Sequence, residues 1–197
     1  MNALRKILVL ALAIGLFSSC VFAQEQPQKK ALMLIAADKF QDDEFLKPLE
    51  VLEDNDIDVT VASTTLSEAV GMNGTKVRPD ILLKDAKVSD YDAVIFVGGS
   101  GAVQYIDDPL AQKLARDAVS ANKIVGAICL APRILANAGV LKDKRATVYP
   151  SEGEKLIACG VNYTKQPVEK DGNIITADGP GSARQFGEEL LKALLAK

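Results

Sequence analysis

Ile124-Val125-Gly126-Ala127-Ile128-Cys129-Leu130-Ala131-Pro132 decides how this chain is read. A short apolar run stops at a thiol, and a helical pattern, Arg133 to Ala138, takes over. The order is strand, turn, helix. A nucleophile on such a turn is pushed out of the sheet, and it faces the positive end of the following helix, which favours the thiolate. Free cysteine is also among the most buried residue types and often only fills a core. On this stretch alone, both roles stay open for Cys129.

Outward from it, strand and helix patterns alternate. Ala31 to Ala36 and Ala93 to Val97 are continuous apolar runs, as buried parallel strands are. Ile57 to Ala62 is β-branched and strand-like, Thr147 to Tyr149 reads as a brief strand, and Ile174 to Ala177 as another. Asp42 to Asp54 carries Phe45, Leu46, Leu49 and Leu52 at helical spacing, with Pro48 expected to bend or delay the helix. Leu110 to Asn122 and Ser182 to Ala196 are amphipathic. Ser151 to Ala158 reads as a short helix with Ser151 and Glu154 as a capping box and Cys159-Gly160 as its end. This alternation predicts an α/β fold, a mainly parallel sheet with helices on both faces. Ligand sites in such folds lie at the C-terminal ends of strands. The segment after Ala36, the Gly98-Gly99 turn and Cys129 all lie at such ends.

At 197 residues the chain suits one domain with a substantial core. It has no histidine, which excludes every Ser-His, Cys-His and His-metal mechanism within a single chain. The first residues read as a secretory signal, 1–23: Arg5 and Lys6, an apolar run from Ile7 to Phe17, and Val21-Phe22-Ala23 before a cleavage point at Gln24. Phe17-Ser18-Ser19-Cys20 loosely resembles a lipoprotein box, so a lipid anchor on Cys20 is the rival outcome. Export, periplasmic or secreted, is the expectation, with a flexible lead at 24–30 and the folded domain at 31–197. Removing 1–23 takes away two basic residues and no acidic one, and moves the formal charge from -3 to -5. An acidic chain without a basic patch gives no reason to propose nucleic acid as partner. Cys129 and Cys159 remain, and in an oxidising compartment they could pair.

Gly98-Gly99-Ser100-Gly101 lacks the lysine and spacing of a phosphate loop and is not the dinucleotide fingerprint. It is either a tight strand-end turn or an oxyanion pocket, with the N–H groups of Gly99 and Leu130 as donors beside Cys129. Glu44 opens a helical stretch. There it is either a solvated first-turn carboxylate or a proton carrier facing a thiol.

These segments together resemble the ThiJ/PfpI family. Ala127 to Pro132 looks like its nucleophile elbow, Phe40 to Leu46 like its acidic motif with Glu44 as the glutamate, and Phe96-Val97-Gly98-Gly99 like its glycine turn. Ile174 to Ser182 looks like its C-terminal signature, and the likeness runs from about Ala31 to Leu195. The resemblance implies a flavodoxin-like sandwich, a homodimer or larger assembly, and a Cys129–Glu44 pair. It also implies activities among glyoxalase, protein deglycase, peptidase, chaperone and redox-sensor types. The peptidase branch has a histidine directly after the cysteine, where this chain has Leu130; another branch has one where Tyr149 stands. Peptidase action is therefore disfavoured, and Tyr149 becomes a possible neighbour of the site or simply a partly buried aromatic. The expected function is a cysteine-dependent enzyme acting on small reactive carbonyls or glycated proteins, with no metal and no cofactor. The rivals are a non-catalytic redox sensor or holdase chaperone, and a binding module that has lost catalysis.

Overall fold

The computed structural model describes residues 28–197. The signal, the lipobox reading and most of the lead lie outside the described residues. In chain order the elements are β1 Lys30–Leu34, β2 Asp38–Phe40, α1 Asp42–Glu53, β3 Asp58–Ser63, β4 Ala69–Gly71, β5 Lys76–Val77 and β6 Ile81–Leu82. Then come β7 Ala93–Phe96, α2 Val103–Ile106, α3 Pro109–Ser120, β8 Ile124–Ile128, α4 Pro132–Asn137, β9 Arg145–Ala146 and α5 Gly153–Ala158. The chain closes with β10 Asn162–Tyr163, β11 Val168–Asp171, β12 Ile174–Ala177 and α6 Ala183–Leu195.

Seven strands form one sheet in the order β11-β12-β8-β7-β1-β3-β6. Every pairing in it is parallel except β11 with β12. The residues of β7 and β8 are all buried, because helices cover the sheet and leave no strand face to water. Helices α1 and α6 pack on each other, α1 on β3 and α6 on β8 and β12; α3 packs on β7 and β8 beside α2 and α4. Two glycines permit that closeness. A Cβ on Gly126 would meet Phe186 and Leu190 of α6 at 2.9 Å, and one on Gly187 would meet the Pro48 backbone at 2.9 Å. No helix among the described residues is long and apolar enough to cross a membrane.

Several local expectations are corrected. Strand β1 begins at Lys30, inside the expected lead, because Lys30 pairs in register with Asp58. Pro48 does not delay α1, which starts at Asp42 and runs past it. The proline's missing N–H leaves only the Glu44 carbonyl without its usual donor, and its ring is buried against α6. Thr147 to Tyr149 is not a strand; the pairing lies one step earlier, in β9, and the Thr147 N–H goes to the Thr176 hydroxyl at 2.9 Å. The capping box does not form. Pro150–Glu152 is a 3-10 turn, and α5 starts at Gly153 without a side-chain cap. Ser151 lies inside that turn, and its hydroxyl donates to Glu152 Oε1 at 3.4 Å rather than capping α5. A three-stranded sheet, β2-β4-β5, stands apart from the main one.

The chain leaves β1 for β3 on one side and returns to β7 on the other. The crevice at the C-terminal ends of β1 and β7 is therefore the topological switch point, where ligands bind in open α/β sheets.

Candidate active site

Strand β8 carries Cys129 to the rim of that crevice. Cys129 is a non-glycine residue with φ of +61°. Such a left-handed backbone costs on the order of 1–3 kcal/mol and persists only where its surroundings over-determine it. Two backbone bonds do so: the Cys129 N–H donates to the Ala177 carbonyl at 2.9 Å, and its own carbonyl accepts from the Tyr149 N–H at 2.9 Å. The chain then turns through Leu130 and Ala131 into α4, with Pro132 in its first turn, where a proline loses no bond. The thiol side chain is left at the edge of solvent, with Cys129 only 7% exposed.

The start of α1 carries three adjacent acids with three different fates. Asp42 is buried and accepts N–H bonds from Asn73 at 2.7 Å and Thr75 at 2.8 Å, which pins the β4–β5 turn to the helix. Burial would raise its pKa, but the Thr75 hydroxyl and these N–H groups outweigh it and hold the carboxyl below its ordinary value. Asp43 pairs with Lys47 at 2.9 Å near the surface. Glu44 is fully buried, with 0% exposed, and neither carboxyl oxygen makes a full hydrogen bond. Gln41 caps this end: its side-chain oxygen accepts the Glu44 N–H at 2.9 Å, and its own N–H donates to the Gly98 carbonyl at 3.1 Å.

Gly98 joins the two halves. A Cβ there would overlap Glu44 Oε2, and would meet Cys129 Cβ and the Ile128 carbonyl at 2.6 Å. Next to it, Gly99 has φ of +98° and lies so close to the Lys39 carbonyl that a Cβ would come within 2.5 Å. Only glycine fits both places.

Burial pushes the Glu44 pKa up to about 8; the Cys129 thiol and the Gly98 N–H pull against it, while the charges of Asp43 and Asp178 add to it. The Cys129 thiol is pushed up to about 12 by burial and then by the negative charge of Glu44; the N–H groups of Gly99 and Leu130 pull it down. The expectation that the helix start would favour the thiolate is corrected here. Helix α4 has only six residues, and burial beside a carboxylate outweighs it. With Glu44 protonated, the charge opposing the thiolate disappears and the two N–H groups remain. The pair therefore holds one shared negative charge more readily than two.

Cys129, Glu44, Gly99 and Leu130 are thus brought together. Tyr149 reaches the site through its backbone; its side chain is 44% exposed and lies beside Gly179, where a Cβ would sit 3.5 Å from the ring. Gln41 and Asp178 were not singled out by the sequence reading. Asp178 follows β12 and accepts the Ser182 hydroxyl at 2.5 Å. Cys129 and Cys159 are free. Cys159 is half-buried, with its sulfur 3.9 Å from Asn137 Oδ1 at the far end of α4. Helix α4 separates the two sulfurs, so a disulfide would require the chain to move. Among the described residues, no three His, Cys, Asp or Glu side chains converge as metal donors.

A flavodoxin-like α/β domain with a cysteine on a strained strand-to-helix turn defines the class. The chain belongs to the DJ-1/PfpI family, whose model matches residues 29–193. An uncharacterised protein of Methanocaldococcus jannaschii is 39% identical over 200 residues, covering 97% of this chain and 98% of its own. A deglycase of Pyrococcus abyssi is 30% identical over 163 residues, covering 83% of this chain and 98% of its own. The crystal structure of a ThiJ/PfpI domain protein from Brachyspira murdochii superposes with a TM-score of 0.84 at 29% identity, covering 85% of this chain and 97% of that one.

Proposed function

We propose that the chain is a cofactor-independent enzyme acting on small reactive carbonyls, or on their adducts with proteins, through Cys129 and Glu44. One observation carries this reading: a fully buried carboxyl with no hydrogen-bond partner faces a thiol that two backbone N–H groups also face. Buried polar groups left unbonded are costly and gather at functional sites.

With methylglyoxal, the Cys129 sulfur adds to the aldehyde carbon. A C–S bond forms, the C=O π bond opens onto oxygen, and the thiol proton ends on that oxygen to give a hemithioacetal. The Gly99 and Leu130 N–H groups stabilise the oxyanion on the way. Glu44, as the carboxylate, removes the C–H proton of the former aldehyde carbon and returns it to the neighbouring carbon, while the hydroxyl proton passes from the first oxygen to the second. The product is a lactoyl thioester. Water cleaves it to lactate and the free thiol, so the sum is methylglyoxal plus water to lactate, with no external oxidant or reductant. A hemiaminal adduct on a protein amine reaches the same hemithioacetal when the C–S bond forms as the C–N bond breaks, with the thiol proton leaving on the amine.

A panel of small aldehydes and fluorogenic peptides tests this. Turnover of methylglyoxal is expected, and no peptide cleavage, because no histidine is available from this chain or from a second copy. Efficient peptide cleavage would contradict the reading. No aldehyde turnover together with ready oxidation of Cys129 to the sulfinate would favour the sensor role. The protein is further proposed to act as a homodimer after export, with Gln24 as the mature N-terminus; Met1 on protein taken from its own cell would refute the export.

A further inference from the structure

We propose that Arg133 and Glu152 form a clamp that positions Tyr149 as one wall of the entrance to Cys129, and so selects reagents by size. The carbonyl arm of this inference rests on the proposed function; the positioning itself does not.

Arg133 lies four residues after Cys129, in the first turn of α4. Its Nη1 donates to Glu152 Oε2 at 2.9 Å, and Lys155 Nζ reaches the same oxygen at 2.9 Å. The Arg133 and Glu152 side chains are 21% and 12% exposed, so this pair is mostly out of water. Exposed ion pairs contribute little, but removing one partner of a buried pair leaves an uncompensated charge. Burial would raise the Glu152 pKa; Lys155 and Arg133 outweigh it and hold the carboxyl below its ordinary value, so the pair is charged at neutral pH.

The pair closes a ring of bonds around the nucleophile. The Glu152 N–H donates to the Tyr149 carbonyl at 2.8 Å, and the Tyr149 N–H donates to the Cys129 carbonyl at 2.9 Å. From Cys129 the chain returns to Arg133 within one turn. Core packing does not hold the Tyr149 side chain, which is about half exposed. The backbone that carries it is held by this ring. The aromatic ring lies against Gly179, two residues beyond β12, and β12 is the strand paired with β8. Tyr149 therefore bridges the end of β8, which carries the thiol, and the end of β12 beside it. Arg133 and Glu152 are positioning residues, acting through Tyr149.

The test uses the full chain and follows Cys129 labelling by peptide mass spectrometry, with iodoacetamide as the small probe and N-phenylmaleimide as the bulky one. Arg133→Met and Glu152→Gln should each raise the bulky-to-small rate ratio by roughly fivefold, and Tyr149→Ala should do at least as much. Adding Arg133→Met to Tyr149→Ala should then change nothing more, which a merely structural role would not produce. Arg133→Lys, which keeps the charge, should hold the ratio near wild type and covers the case in which Arg133→Met does not fold. If methylglyoxal is a substrate, KM should rise more than kcat falls. An unchanged ratio in Glu152→Gln, or full additivity of Arg133→Met with Tyr149→Ala, would overturn the clamp. Absence of turnover in the wild-type chain would remove the carbonyl reading and leave the labelling result standing.

Discussion

Glu44→Gln lowers methylglyoxal turnover by roughly 10²-fold or more, the scale of a lost general acid/base group. Glutamine keeps the shape and cannot carry the proton. The same variant has a stability signature of known sign. The Glu44 pKa stands at about 8 in the fold against an ordinary 4.5. Between those values the unfolded chain has lost a proton that the folded chain keeps, so stability falls as pH rises through that window. The slope is at most about 1.4 kcal/mol per pH unit. Glutamine has no such term. Glu44→Gln should therefore melt higher than wild type at pH 8, and the gap should close toward pH 4. Because glutamine also removes the charge that opposes the thiolate, Cys129 alkylation above pH 8 should be kept or accelerated while turnover is lost. If turnover, melting difference and alkylation all match wild type, Glu44 is only a helix-start carboxylate.

Gly98→Ala carries the second large effect. Its methyl would overlap Glu44 Oε2 and press on Cys129 Cβ and the Ile128 carbonyl at 2.6 Å. Two of those neighbours are a nucleophile on a strained turn and a backbone oxygen, neither of which can swing away. Overpacking of this kind costs about 1–3 kcal/mol. The expected result is a lower melting temperature with turnover reduced by about 10²-fold, since a displacement near 1 Å at the reacting groups has that effect. Gly181→Ala is the matched control, because a Cβ there meets nothing within 4 Å. Equal activity in the two variants would mean that Gly98 does not hold the pair together.

Much of this was legible in the sequence. Short apolar runs with no alternation and rich in β-branched residues, such as Ile124 to Ile128, fit buried strands in a sheet covered on both faces, and β8 and β12 stand where those runs predict. The convergence of Glu44, Gly99 and Cys129 follows from the ends of β1, β7 and β8 being neighbours. What the patterns missed depends on contacts distant in sequence. Strands β4 and β5 are short and held by the buried Asp42, whose partners Asn73 and Thr75 lie more than thirty positions away. The box at Ser151 failed because the chain enters α5 through the 3-10 turn Pro150–Glu152, which leaves Glu152 rather than Ser151 at the start of the helix. The thiol's ionisation was misjudged because a local rule about helix starts takes no account of a buried carboxylate delivered by α1.

The most direct measurement compares methylglyoxal conversion to lactate by the purified wild-type chain and by its Cys129→Ser variant, at pH 8 where the Glu44–Cys129 pair begins to lose a proton. The wild type should turn over without added metal, thiol or nucleotide, and Cys129→Ser should fall to the uncatalysed rate. Conversion that persists in Cys129→Ser, or none in the wild type, would contradict a cysteine-dependent carbonyl enzyme.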